Sequence, residues 1–455
     1  MILNSPKMNR SIAKTLVRSS LTRRYSTNQE KLASFKRIPQ ASPDITTLLN
    51  PMNRSKIVSN LVDRLLTKDA MAAEKKLDDL KSLKVQAVKN PSSENRENLI
   101  EAALDFPNFS HNAIKDLKSP RVLFDNTGSL KKIDYRSFDN ISRILGGSRT
   151  KDTGQTTTEK SYYLLGPLAE LEQALVNYTI DHLVLKEGFQ LISVPDILHP
   201  EVIEACGLKT TGKITNVFKL DPRYYSSKAL SGTSEMAFGS LFANKEIDFE
   251  EGNVAKFAAV SRCYRAESTG GRREKGLYRV HHFTKVEMFA FTTGGDPGYS
   301  DLVHQQFLSI QQRLFDDMEL HYRVLDMHPG DLGSPASRKF DIEAILPGHE
   351  LNDDKEPFFG EISSTSNCLD YQSRRLNIRE KDKSRFCHTV NGTACAVPRM
   401  IMAICEQHQT GNGCVSCPRK LIPYMVHLEN NVIVPRPKES RPNFQYRTSP
   451  KAFYD

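Results

Sequence analysis

The feature that most constrains this 455-residue chain is a pair of alternating runs, "VAKFAAVSRCYRAE" and "YRVHHFTKVEMFAFTT", separated by the ten residues "STGGRREKGL". Period-two alternation on both sides of a Gly-containing connection predicts an antiparallel hairpin whose loop is longer than a tight turn. Residues of equal parity share a face of a strand. The odd face carries Arg265 and Glu267 in the first run, then Arg279, His281, Phe283, Lys285 and Glu287 in the second. The even face of the second run carries Val280, Thr284, Val286, Met288 and Ala290, with His282 as its exception. The even face is therefore expected to meet the core, and the charged, aromatic face to line something.

Cations beside a ring, with carboxylates further along, suit a nucleoside triphosphate next to a charged small molecule. Arginine brackets phosphate oxygens, a ring stacks on a base, and a carboxylate receives an ammonium. A solvent-facing hairpin laced with cross-strand ion pairs fits the same pattern, and the pattern alone leaves the two readings even. The chain has neither a GxxxxGK[ST] loop nor a GxGxxG turn, so a bound nucleotide would be gripped by Arg and not by a glycine-rich nest.

Three further clusters bear on the choice. "LSGTSEMAF" places Thr233, Ser234 and Glu235 at a helix start, where they cap the helix or bind a small polar ligand. "GEISSTSNCLDYQSRR" sets Glu361 and Ser364 beside a strand end, a pair of hard oxygen donors suited to Mg²⁺ between phosphates. "HTVNGTACAVPRMIMAICEQ" runs through Pro398 and Arg399 into an apolar helix, and Pro in a first helical turn is ordinary. Each cluster taken singly has an ordinary structural explanation.

Composition sets the remaining bounds. Sixty-three Lys and Arg against 54 Asp and Glu is a modest basic excess, compatible with a nucleic-acid partner without demanding one. No apolar run reaches membrane-spanning length, so the chain reads as soluble, without a membrane partner. The eight cysteines have no repeated spacing, as in a reduced compartment. Cys414 and Cys417 form a CxxC without a second pair nearby, so no structural zinc is expected.

The first 29 residues carry six Lys or Arg before any acid and are rich in Ser, the pattern of a mitochondrial transit peptide; a basic tail without consequence is the alternative. From Arg54 to Leu104, Ile57, Leu61, Leu65, Ala70, Ala73, Leu77 and Leu80 recur at helical spacing, Asn90-Pro91 interrupts, and "SSENRENLIEAAL" restarts with Ser as cap. This predicts a helical hairpin. Its ten basic and eight acidic residues do not by themselves mark it as an RNA-binding arm. Residues 105 to 158 read as a linker or irregular edge, Leu168 to Gly188 as an amphipathic helix stopped by Gly, and "FQLISVPDIL" as a strand ended by Pro195.

Taken together and in this order, "TSE", "YRAE" with "RVHHF" and "KVE", "EISS" and "HTVNGTACAVPR" resemble the seryl-tRNA synthetase family of class II aminoacyl-tRNA synthetases. The likeness runs from about Gly166 to Met425 and includes "GPLAELEQAL" and "LIPYM"; "LDFPNFSH" resembles the family's junction between arm and catalytic domain. With the basic leader it points to a mitochondrial form, working in the mitochondrial matrix. The resemblance implies an α+β fold, an antiparallel sheet flanked by helices and preceded by a helical arm. The expected organisation is a transit peptide at 1–29, arm and junction at 30–145, a catalytic domain at 146–430 and a tail at 431–455.

It also implies roles. Arg265 would hold the α-phosphate and the serine carboxylate, and Glu267 the adenine edge, with Ala266 between them also at the ATP. Phe283 would take the adenine face, and Arg279 with Val280, His281 and His282 the rest of the triphosphate. Thr233, Ser234, Glu235, Glu287, Asn391 and Thr393, with Arg265, would surround L-serine. Glu361, Ile362, Ser363 and Ser364 would lie along the ATP, with Glu361 and Ser364 ligating Mg²⁺. Arg399 would cover the other side of adenine, and Arg265, Glu361 and Arg399 would carry the catalysis. Loop residues Arg272, Arg273 and Lys275 would meet the acceptor end of tRNA(Ser), and "EGFQLISVPDIL" would form a homodimer interface with Pro195 towards the partner. Departures from the family are Ser234 where Ala is common, His282 where Gln is usual, one Gly fewer in "NGTACAVPR", and an arm shorter than the family's long coiled coil. A non-catalytic relative, or a ligase charging carrier proteins, are the rival functions.

Overall fold

The computed structural model describes residues 39–435 apart from 132, 151–155, 213–214, 225–226, 250–253, 268–275, 350–356 and 382–383. The expected transit peptide, the end of the tail and the loop with Arg272, Arg273 and Lys275 lie outside the described residues. The elements below all belong to one compact unit, Gln40–Asp455.

The arm contains three principal helices, not the expected two: α1 (Arg54–Asp63), α2 (Ala70–Lys89) and α3 (Ser93–Leu104). Asp69 caps α2 through the Ala72 N–H at 2.8 Å, and Ser92 caps α3 through the Asn95 N–H at 3.1 Å. Ile57, Leu61, Ala73, Leu77, Leu80, Leu99 and Ala103 form their shared core. Leu65 does not belong to it: its φ is +56° and it is 76% exposed. The left-handed turn there ends the helical period that its spacing had suggested. Arg64, almost fully buried, fastens the arm to the rest by donating to the carbonyls of Asn108, Gly333 and Ala336.

Residues 105–158 are more than a linker. They supply the edge strand β1 (Arg121–Asp125) and the helix α4 (Phe138–Leu145), which buries Phe138, Ile141 and Leu145. The next helix, α5 (Pro167–Asp181), runs into a π-helical turn, His182–Lys186, before Gly188 at φ +70°. The segment expected as one strand forms only β2 (Gln190–Leu191) and the short pairing Ile197–Leu198, because Pro195 lacks the N–H a continuous ladder needs.

Then follow α6 (Ser234–Phe242), β3 (Val254–Tyr264), β4 (His282–Thr292), α7 (Pro297–Asp317), β5 (Tyr322–Asp326), β6 (Arg338–Leu346), β7 (Phe358–Leu369), α8 (Tyr371–Leu376), β8 (His388–Ala396) and α9 (Val397–Gln407). Eight strands form one sheet in the order β1-β5-β6-β7-β8-β4-β3-β2. Its neighbours are antiparallel except β2 and β3. This is the antiparallel sheet flanked by helices that the resemblance implies.

The predicted hairpin is β3–β4, in register from Val254 opposite Thr292 to Tyr264 opposite His282. Its even face, with Val286, Met288 and Ala290, joins the main core. The odd face is divided. Phe289 and Phe291 are buried, packing against Phe238 and Phe242 of α6. Phe283, Lys285 and Glu287 instead line a cavity, towards which the N-terminal end of α6 brings Thr233 and Glu235.

Candidate active site

A cavity of about 420 Å³ opens over β4, β7 and β8. Of the residues expected at the site, it is lined by Thr233, Glu235, Arg265, Glu267, Arg279, Val280, Phe283, Glu287, Glu361, Ile362, Ser363, Ser364, Asn391, Thr393 and Arg399. Four others lie outside the lining. Ser234 is buried and shares a hydrogen bond with Ser261 at 2.6 Å. Ala266 donates its N–H to the Asn216 carbonyl, His281 bonds the Thr158 hydroxyl at 2.7 Å, and His282 stacks on Tyr162. His281 precedes β4, so strand parity does not govern its ring, which Thr158 holds; His282, the first residue of β4, faces Tyr162 on the even side.

One end of the cavity is cationic and aromatic. The Arg265 guanidinium lies 5.4 Å from the Phe283 ring centre, and that of Arg399 4.4 Å from the Tyr278 ring centre. Arg399 enters in the first turn of α9, behind Pro398, and donates to the Glu361 carbonyl at 2.7 Å and the Tyr278 carbonyl at 3.3 Å. Tyr278 in turn accepts the Glu361 N–H. Two guanidinium planes, each against a ring, leave a slot suited to a flat base and its phosphates. Glu267 adopts φ +30°, a strained conformation for a residue with a side chain, and Arg279 holds its carboxylate.

Glu361 and Ser364 lie within β7, not at its end. Three residues apart, they would face opposite ways on a regular strand. The β6–β7 register shifts there, pairing Ser363 with Ile342 but Glu361 with Glu343, so Ile362 is an extra residue. That bulge turns Glu361 and Ser364 to the same face. Burial raises the Glu361 carboxyl, but Arg399, Lys339, Arg265 and Lys285 outweigh it and hold the group below its ordinary range. Asp341, opposite Ser364, is shifted upward by burial and by Glu361, with Lys339 opposing at 2.8 Å.

The other end is compact and polar. Thr233 caps α6 and accepts a hydrogen bond from Lys285 at 2.8 Å. Lys285 also pairs with Glu287 and reaches the Thr393 hydroxyl at 3.3 Å. Thr393 stands opposite Glu287 in the β4–β8 register, which brings their side chains together. Burial, then Glu287, push the Glu235 carboxyl up to about 7, against Lys285, Gln372 and Asn391. The end thus offers two carboxylates and short hydroxyls around one internal ammonium.

Comparison with known proteins gives the family. The tRNA synthetase class II core domain (G, H, P, S and T) matches residues 218–408. The chain is similar to the serine-tRNA ligase of Borreliella afzelii, 37% identical over 347 residues, covering 72% of this chain and 78% of that one. The chain belongs to the serine-tRNA ligase family. The mitochondrial serine-tRNA ligase of Bos taurus is 42% identical over 330 residues, 71% of this chain; the chain spans 62% of that relative's length. The seryl-tRNA synthetase of Pyrococcus horikoshii, solved in complex with ATP, superposes with a TM-score of 0.73 at 25% identity, covering 86% of this chain and 99% of that one.

Within the serine-tRNA ligase family's core, the expectations passed over Lys285, Lys339, Tyr278 and Gln372. Lys285 shares the odd face with Phe283 and Glu287, a signal that was legible in the sequence. Lys339 lines the cavity from β6, Tyr278 carries Arg399, and Gln372 of α8 hydrogen-bonds the Glu235 carboxylate. Lys339 and Gln372 had no sequence signal, because each is brought in from an element distant in the chain; Tyr278 opens the second run of the hairpin, next to Arg279. Cys414 and Cys417 are buried free thiols, and among the described residues no His, Cys, Asp and Glu group is arranged to hold a metal ion unaided.

Proposed function

We propose that the chain ligates L-serine to tRNA(Ser) through a seryl-adenylate intermediate, for mitochondrial translation. The observation that carries this is the division of one cavity into an Arg-and-ring slot and a carboxylate-and-hydroxyl end. ATP fits the first, with its base between Phe283 and Arg399. L-serine fits the second, its ammonium near Glu235 and Glu287 and its hydroxyl near Thr393 and Asn391. The serine carboxylate, already ionised, attacks the α-phosphorus in line and pyrophosphate leaves, so no general base is required. Catalysis is then positioning and neutralisation of charge by Arg265 and Arg399. In the second step a terminal ribose hydroxyl of tRNA attacks the acyl carbon of seryl-adenylate; the ester bond forms, the acyl–phosphate bond breaks, AMP leaves and the hydroxyl proton is released with it.

The oxygen donors of Glu361 and Ser364, turned together by the bulge, suit Mg²⁺ shared with phosphate oxygens. When bound, the ion would neutralise charge on the phosphates. A site that hydrogen-bonds the serine hydroxyl rejects alanine without editing, since alanine leaves buried polar groups unpaired.

Mitochondrial residence is supported by the basic leader and by the mitochondrial relative. A homodimer is supported by the exposed apolar side chains of Leu191 and Ile197 within the segment "EGFQLISVPDIL" expected at the interface. Among the described residues no helix is long and apolar enough to cross a membrane. The test is ATP–pyrophosphate exchange with each amino acid in turn, followed by transfer to mitochondrial tRNA. Serine is expected to support both, and Arg265→Ala to abolish exchange; failure of the native chain with serine removes the reading.

A further inference from the structure

The amino-acid end of the cavity already contains an ammonium. Lys285 is 5% exposed, and the three donors of its head are taken up by Glu287, Thr233 and Thr393. These are groups on which the proposed substrate would place its own ammonium and hydroxyl. A buried lysine needs such partners, so its position in the empty site is explained by pairing. The arriving substrate changes that balance, because it is a zwitterion. Its ammonium competes for Glu287, and covalent geometry keeps its carboxylate oxygens roughly 3 Å from its own nitrogen. A carboxylate therefore arrives beside the ammonium that has just lost its counter-ion.

The other cations of the cavity are engaged towards the nucleotide end: Arg279 with Glu267, Lys339 with Asp341, and Arg399 with Glu361. Arg265 lies over Phe283 at that same end.

We propose that Lys285 receives the carboxylate of the amino-acid substrate, exchanging Glu287 for it when the substrate ammonium takes Glu287. The inference rests on the serine-activation reading. Lys285 acts as a resident stand-in for the substrate ammonium that becomes the second, charge-paired anchor of the substrate. Substrate entry is an exchange of ion pairs in which the cavity gains no net charge. Together with Arg265, Lys285 fixes the rotation of the carboxylate towards the nucleotide end.

The decisive comparison is between L-serine and L-serinamide, which keeps the ammonium and hydroxyl but lacks the anionic carboxylate. Dissociation constants for both would be measured by calorimetry on the full chain, native, Lys285→Met and Lys285→Arg, with ATP binding as the control for folding. The native chain is expected to prefer serine to serinamide. In Lys285→Met that preference should shrink at least roughly tenfold, the worth of one charge-assisted hydrogen bond, while ATP binding stays close to native and serinamide, whose ammonium no longer competes with Lys285 for Glu287, binds no more weakly than to the native chain. Lys285→Arg, keeping the charge, should retain most of the preference. Equal weakening of serine and serinamide in Lys285→Met would show that Lys285 only holds Glu287, and would overturn the proposal. So would a native chain that binds serinamide as tightly as serine, a measurement that needs no variant to fold. A native chain that binds ATP but neither compound overturns the serine reading itself.

Discussion

Thr393 stands directly opposite Glu287 across β8 and β4, and its hydroxyl donates to the Glu287 carboxylate at 3.4 Å while accepting from Lys285 at 3.3 Å. The register of two strands thus joins the third cluster of the sequence to the hairpin. A hydroxyl held between a carboxylate and an ammonium is poised to read another hydroxyl.

Thr393→Val keeps the shape and removes that group. Serine KM in pyrophosphate exchange is expected to rise roughly tenfold or more, the cost of a buried polar partner left unpaired, with ATP KM unchanged. Discrimination between serine and alanine should fall with it. An unaltered serine KM would contradict the assignment of this end to the amino acid.

Arg399→Lys preserves the charge and loses both the paired hydrogen bonds to the Glu361 and Tyr278 carbonyls and the stacking on Tyr278. Exchange is expected to drop by about 10²-fold, as for loss of one preorganised charge-stabilising donor. A lysine variant with native ATP dependence would exclude Arg399 from the nucleotide slot.

Glu235 sets a pH dependence. With its carboxyl raised to about 7, first by burial and then by Glu287, it gains its charge as pH rises through neutrality. Affinity for the serine ammonium should therefore increase between pH 6 and pH 8, and Glu235→Gln should flatten the profile. The stability effect has the opposite sign. Because the folded-state value lies above the unfolded one of roughly 4.3, stability is lost as pH climbs from the unfolded value through about 7. Melting temperatures of native and Glu235→Gln chains should converge below that window and separate above it; parallel curves would count against a buried Glu235.

Leu80→Ala tests the division of labour between arm and cavity. Leu80 is fully buried between α2 and its neighbours, so the change should cost about 2–5 kcal/mol of arm stability. Serine-dependent exchange should persist, while transfer to tRNA(Ser) declines. Equal loss of both would tie the arm to activation instead.

The hairpin, its two faces and the order of the three clusters were legible in the sequence because strand parity and helix period are local properties of the chain. The arm's third helix was not, since the turn at Leu65 breaks the period while its apolar residue continues it. Nor was the role of residues 105–158, whose exposed strand β1 acquires its meaning only by pairing with β5, about 200 residues later.

The site divides in the same way. The sequence by itself determined which residues carry charge, ring or hydroxyl, and put Phe283, Lys285 and Glu287 on one face. Tertiary structure alone decided that Phe289 and Phe291 of that face are core, because α6 covers them. It decided that the bulge at Ile362 turns Glu361 and Ser364 the same way, that His281 and His282 lie outside the cavity, and that Lys285 occupies its carboxylate-and-hydroxyl end. Each of these depends on which strand or helix stands opposite, a long-range pairing that no local spacing encodes.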